Sequence, residues 1–194
     1  VFPPEMITKQ EIFEGLYGAW RLLLGDRGAV ALFDDSVAGF WKSFFAAILV
    51  LPIYFAMTAI GAVEFDSSRS LPAIVLIVLE FYIIAWVLWP LIIGHVLPVI
   101  DRDEKFTLYV VAYNWMSAVG AGLFFIAVLV TTLLPIPDGF AALIMVGALL
   151  GVLAYHVFIA HTALSISIGV AIGLTVADFI LHEIVQGVMF GRLS

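Results

Sequence analysis

One segment of this chain sets four polar side chains into an otherwise apolar run. Thr175, Asp178, His182 and Gln186 follow one another at spacings of three, four and four. On a helix that spacing makes a single polar stripe, and at about 100° per residue it lies nearly opposite Gly169 and Gly173. Glu183 falls off the stripe, toward the glycine side. A further carboxylate, Glu80, sits nine residues into an earlier apolar stretch that opens at Leu71, about 13 Å deep. Counted from the opposite direction, Asp178 and His182 reach a similar depth, so Glu80 is expected to meet the stripe. Ionisable groups at such positions normally face a partner, a cavity or the interior. A carboxylate beside an imidazole could relay a proton or a cation. The same grouping is also common glue between helices, and an interhelical hydrogen-bond network is the expectation here.

A second set of polar residues, His95, Asn114, His156 and His161, falls toward the other ends of these stretches. Imidazoles bind metals, but His156 and His161 are five apart, about 140° around a helix, and share no face. Asp178 and His182 do share one, yet two ligands make no site. With Tyr109, Tyr113 and Trp115 nearby, these histidines are expected as boundary anchors. No cysteine is present, which excludes disulfides, thiolate metal sites and cysteine nucleophiles. No phosphate-cradling glycine loop, zinc-protease motif or GxSxG elbow occurs. The charged run Asp101–Arg102–Asp103–Glu104–Lys105 reads as a solvated turn, too short for a calcium loop. The sequence thus predicts no catalytic group, no metal and no cofactor.

The elements that hold these residues follow from composition. Of 194 residues, 64% are hydrophobic and 12% charged, against about 25% charged in a soluble domain. So apolar a chain would aggregate in water; in a bilayer it is at home. The net charge of -7 comes with no basic run, which argues against nucleic-acid binding. The fold class is all-α: a polytopic bundle of about five transmembrane helices over residues 40–194, preceded by a cytoplasmic or interfacial segment over 1–39. The chain does not open on a basic region followed by an apolar core, so its first span is expected to act as the insertion signal.

Within residues 1–39, Ile12, Phe13, Leu16, Tyr17, Trp20, Leu23 and Leu24 recur at helical spacing, with Glu11, Glu14, Gly15, Gly18 and Arg21 largely between them. This amphipathic helix would lie in the membrane interface, pack on the bundle's own end, or both; Tyr17, Trp20 and the later Trp41 suit the headgroup zone. Gly25–Asp26–Arg27–Gly28 reads as a turn, and Phe33–Asp34–Asp35–Ser36 supplies caps for the next helix.

The spans are predicted at about Phe40–Val63, Leu71–Leu97 and Phe106–Leu134. The 56 residues from Gly139 to Ser194 would extend roughly 84 Å as one helix, far beyond a core of about 30 Å. They must turn back, and the polar run from His161 to Ser165 is the predicted place. Placing the N-terminus in the cytoplasm puts Lys9, Arg21, Arg27, Lys42, Arg102 and Lys105 inside and only Arg69 and Arg192 outside. Glu64, Asp66 and Asp138 then populate the outer loops, with the C-terminus outside. Small residues at four-residue spacing, Ala118/Gly122, Gly147/Gly151 and Gly169/Gly173, are expected to pack helix on helix within the chain, with a homodimer seam as the alternative. Pro52, Pro90 and Pro98 mark kinks or span ends.

Three features of the later spans resemble the Yip-type family of small five-span membrane proteins and their bacterial relatives. They are Phe106–Thr107–Leu108–Tyr109–Val110–Val111–Ala112–Tyr113 entering the third span, two close spans after Pro137, and Ala163–Leu164–Ser165–Ile166 opening the fifth. The resemblance implies membrane organisation or trafficking-type contacts, with no catalytic residue to carry over. The Gly, Ala, Val and Leu content of the spans has a bacterial look. The expected function is therefore non-enzymatic: an accessory, scaffold or assembly subunit of a larger inner-membrane complex, touching lipids and other membrane subunits or itself. The alternative is a homo-oligomeric transporter or channel subunit using Glu80 and Asp178.

Overall fold

The computed structural model describes residues 6–60 and 70–193. The expected end of the first span at Val63, and Glu64, Asp66 and Arg69, lie outside the described residues. Among the described residues seven α-helices follow in order: α1 Lys9–Leu23, α2 Val37–Ser43, α3 Phe45–Ile60, α4 Leu71–Val96, α5 Phe106–Leu133, α6 Asp138–Leu164 and α7 Ile168–Leu193. Five segments are long and apolar enough to cross a membrane: Val37–Ile60, Leu71–Ile100, Asp103–Leu133, Asp138–Leu164 and Ile168–Leu193. The protein is an all-α, five-span integral membrane protein.

Helix α1 starts on a capping box. The Thr8 hydroxyl accepts from the Glu11 N–H at 3.2 Å, and the Glu11 carboxylate accepts from the Thr8 N–H at 2.7 Å. Gly25 takes the left-handed conformation (φ +86°) that ends the run. Asp26 then caps a 3-10 turn over Arg27–Leu32, and Ser36 caps α2 through the Gly39 N–H at 3.1 Å.

The packed face of α1 corrects the sequence reading. Gly15, Gly18, Ala19 and Leu22 are buried, while Phe13, Tyr17, Trp20 and Leu24 stay exposed. The glycines expected between the apolar positions are the docking face. The reason is Trp115 of α5: a Cβ on Gly15 would sit 2.3 Å from its indole, so only glycine lets the helices approach. The Tyr155 hydroxyl of α6 donates to the Ala19 carbonyl and ties the same face to a second span. Lys42 reaches back to Glu11 at 2.6 Å.

Two further boundaries differ from expectation. The first span is broken at Phe44, between α2 and α3. Ser43 there is fully buried; it donates to the Phe40 carbonyl at 2.7 Å and accepts from Asn114 at 2.9 Å. The turn between the last two spans comes later than predicted, at 165–167. His161, Thr162, Ala163 and Leu164 remain helical, and Ser165 in the left-handed conformation (φ 53°) ends α6. The His161 imidazole, 2.6 Å from the Ile166 carbonyl, bridges the turn, and the Ser167 hydroxyl accepts from the Val170 N–H to restart the chain. The polar residues that suggested a loop thus serve the end of the helix.

Two cores hold the bundle. The larger draws on all seven helices, with α4 contributing its second half and α7 its first, around Leu22, Ile93, Trp115, Met116, Ile159 and Leu164. The smaller joins α4 and α7 through Ile77, Val78, Phe81, Val185, Met189 and Leu193. In α5 every buried residue lies between Tyr109 and Gly120, and in α6 between Tyr155 and Leu164. The packing is concentrated at the end of the bundle that carries α1 and the loops 97–105 and 165–167.

Candidate intramembrane polar site

The α6–α7 hairpin decides what Asp178 meets. Asp178 lies twelve residues beyond Ile166 and His156 ten before it, so an antiparallel pair brings them to nearly the same level. His156 Nδ1 is 3.4 Å from Asp178 Oδ2. From α5 the Tyr113 hydroxyl donates to both carboxylate oxygens, at 3.0 and 3.2 Å. The Tyr113 and His156 rings meet edge to face, 5.5 Å between centroids. Tyr109 stands one turn before Tyr113, and its hydroxyl accepts from Trp89 Nε1 of α4 at 3.0 Å. Thr175 is buried one turn before Asp178. Three spans therefore meet at one buried carboxylate, and α4 backs them through Trp89.

The phenol lies within donating distance of both carboxylate oxygens, and the imidazole stands on the same carboxylate. Chemically, the group can lock three helices together and exchange a proton between Asp178 and His156. Tyr113, expected as a boundary anchor, is its donor, and Tyr109 accepts from Trp89 one turn away. Hairpin arithmetic about the turn was the signal that could have paired His156 with Asp178.

The structure does not bring Glu80 to the stripe. Packing of Val185, Met189 and Leu193 on α4 places Arg192 beside Glu80, both of whose oxygens accept from the guanidinium at 3.1 Å. Asp178 is fourteen residues away along α7, about 21 Å. The stripe itself divides. His182 is exposed, with Nε2 3.5 Å from the Gln186 amide, and Gln186 donates to the Tyr54 hydroxyl of α3 at 3.3 Å. Tyr54 in turn donates to the Met189 sulfur at 3.3 Å. Glu183 is exposed on the other side of the helix.

The second expected set also disperses. His95 is exposed, and its imidazole lies 2.7 Å from the Leu91 carbonyl of its own helix. His161 spans the hairpin turn. Asn114 is fully buried against Ser43, and its Oδ1 has no hydrogen-bond partner among the described residues. Of the four, only His156 joins Asp178. Among the described residues no three His, Asp or Glu side chains gather where a metal could sit.

The small-residue pairs are the largest departure. A Cβ on Gly122, Gly147, Gly151 or Gly173 would meet no atom within 4 Å, and one on Gly169 would meet only the neighbouring Ser167 hydroxyl at 4.0 Å. Gly147, Gly151, Gly169 and Gly173 are exposed. Only Ala118 packs against the larger core. The tightest glycine contact between helices is instead at Gly15, outside the spans, against Trp115 of α5, while Gly18 seats Phe33. Trp41 is 62% exposed and, with Tyr17 and Trp20, forms an open aromatic margin on the α1 end. Compared with protein-family models, with curated proteins and with solved structures, the chain matches none.

Proposed function

We propose that this protein is a non-enzymatic accessory, scaffold or assembly subunit of a larger membrane complex, working through lateral helix contacts. The observation that carries the reading is the outward placement of Gly147/Gly151 on α6 and Gly169/Gly173 on α7. Glycine inside a helix costs about 1 kcal/mol relative to alanine, and in a membrane it is repaid by close approach of another helix. Here no helix of the same chain makes that approach among the described residues. The resemblance to the Yip-type family points the same way. In this reading the complex lies in a bacterial inner membrane, with α1 at the cytoplasmic face, where Tyr17, Trp20 and Trp41 meet headgroups. Gentle extraction from native membranes tests it: a particle heavier than the monomer, with a defined set of other chains, is expected. A lone monomer with no co-purifying chain sinks it.

A second reading, a homo-oligomeric transporter or channel subunit, draws support from the buried Asp178–His156–Tyr113 group. Glu80, held by Arg192, drops out of that path. Unchanged proton flux in liposomes after Asp178→Asn would remove this reading.

A further inference from the structure

Glu183 is a carboxylate on the outward face of α7, among Val176, Ile180, Ile184 and Gly187, all exposed. It lies fifteen residues from the start of α7 and nine from Arg192, about 22 Å and 13 Å along the axis. Against an apolar core of about 30 Å, that is close to mid-membrane. Among the described residues its carboxylate has no hydrogen bond or ion pair. Its helical neighbours Phe179, Ile180, Gln186 and Gly187 include no cation. His182, the titratable group that feels its charge, points to the stripe side and toward Gln186.

A charge there costs about 3 kcal/mol or more if it faces lipid, and acyl chains offer no donor. A second copy would not relieve it. A parallel copy brings another Glu183 to the same depth, while the only basic residues of α7 are His182, on the other side, and Arg192, engaged by Glu80. The missing complement is a cation supplied by a different chain. Gly173 and Gly187, with open space where a Cβ would be, leave room for its helix to come near.

Building on the accessory-subunit reading, we infer that the outward face of α7 docks a transmembrane helix of another protein that carries a lysine or arginine near its middle, and that Glu183 pairs with this residue. The test places a photoreactive phenylalanine derivative at Ile180 or Ile184, and separately at Leu150 on the exposed face of α6, in otherwise intact protein in native membranes. Adducts are then identified by peptide mass. The expected result from α7 is an adduct with one heterologous chain whose cross-linked helix bears a mid-span Lys or Arg. Its yield falls at least tenfold in Glu183→Leu and in Glu183→Gln, and Glu183→Lys with the partner's basic residue changed to Glu restores it. Unaltered thermal unfolding of the purified Glu183→Gln protein guards against misfolding. Adducts from α7 only to lipid or to this same chain, a partner helix without a basic residue, or a yield insensitive to Glu183 would each overturn the inference. A heterologous adduct at Leu150 with none at α7 would overturn it while leaving the accessory reading standing. No heterologous adduct at either place would remove both.

Discussion

The two halves of this bundle are held by different means. At the α1 end, large side chains interlock with small ones: Trp115 fills the space over Gly15, and Ile93, Met116, Ile159 and Leu164 are fully buried. At the far end, α5 and α6 bury nothing beyond Gly120 and before Tyr155, and α4 and α7 meet through a small apolar cluster and the half-exposed Glu80–Arg192 pair. A membrane permits this because lipid covers what the chain leaves bare. The contrast teaches where this fold keeps its stability and where it keeps free surface.

If that contrast is right, Gly15→Leu should be the most damaging change. It drives a side chain into the Trp115 indole and should cost about 3 kcal/mol, detaching α1; limited proteolysis after residue 24 and tryptophan fluorescence would report it. Tyr113→Phe should follow, at about 2 kcal/mol, because Asp178 loses its donor inside the bundle; thermal unfolding in detergent measures it. A third change has the opposite sign. Gly173→Ala meets nothing within the chain, so it should stabilise the purified protein by up to about 1 kcal/mol while weakening recovery of the larger particle. Arg192→Ala should cost less than about 1 kcal/mol, since a half-exposed ion pair contributes little. An effect larger than that of Tyr113→Phe would erase the distinction between the halves.

The smallest effect is a titration. The Lys42 ammonium hydrogen-bonded to Glu11, with the Thr8 N–H, holds the Glu11 carboxyl down at about 2, from 4.5. A carboxyl lowered on folding contributes stability above its unfolded value that is lost as pH falls through the folded one. Docking of α1 should therefore loosen between about pH 4.5 and 2, and Lys42→Met should flatten that dependence.

Much of the fold was legible because lipid imposes a strong rule: long apolar runs span, and charged runs do not. The starts of α4, α5 and α6 fall within a residue of expectation, and Ser36 caps α2 from the run that the sequence offers for it. The turn falls after Leu164 because Thr162 satisfies its hydroxyl on the helix itself, at the Phe158 carbonyl, and His161 reaches forward across the turn to the Ile166 carbonyl. Glycine spacing was misread because it records that a helix expects a close neighbour and says nothing about which chain supplies it. Glu80 misses the stripe because depth alone is a weak coordinate: Arg192, placed outside by the charge count, lies within its reach on α7.

The docking of α1 also bears on the order of events in synthesis. Its contact between Ala19 and Tyr155 spans 136 residues, roughly 7–27 s of translation. During that interval α1 lacks its seat on Tyr155. The third and fourth spans must already be in the bilayer before Gly15 and Ala19 can close on Trp115 and Tyr155. Seating of α1 is thus a late event, and it reports that insertion has run as far as α6.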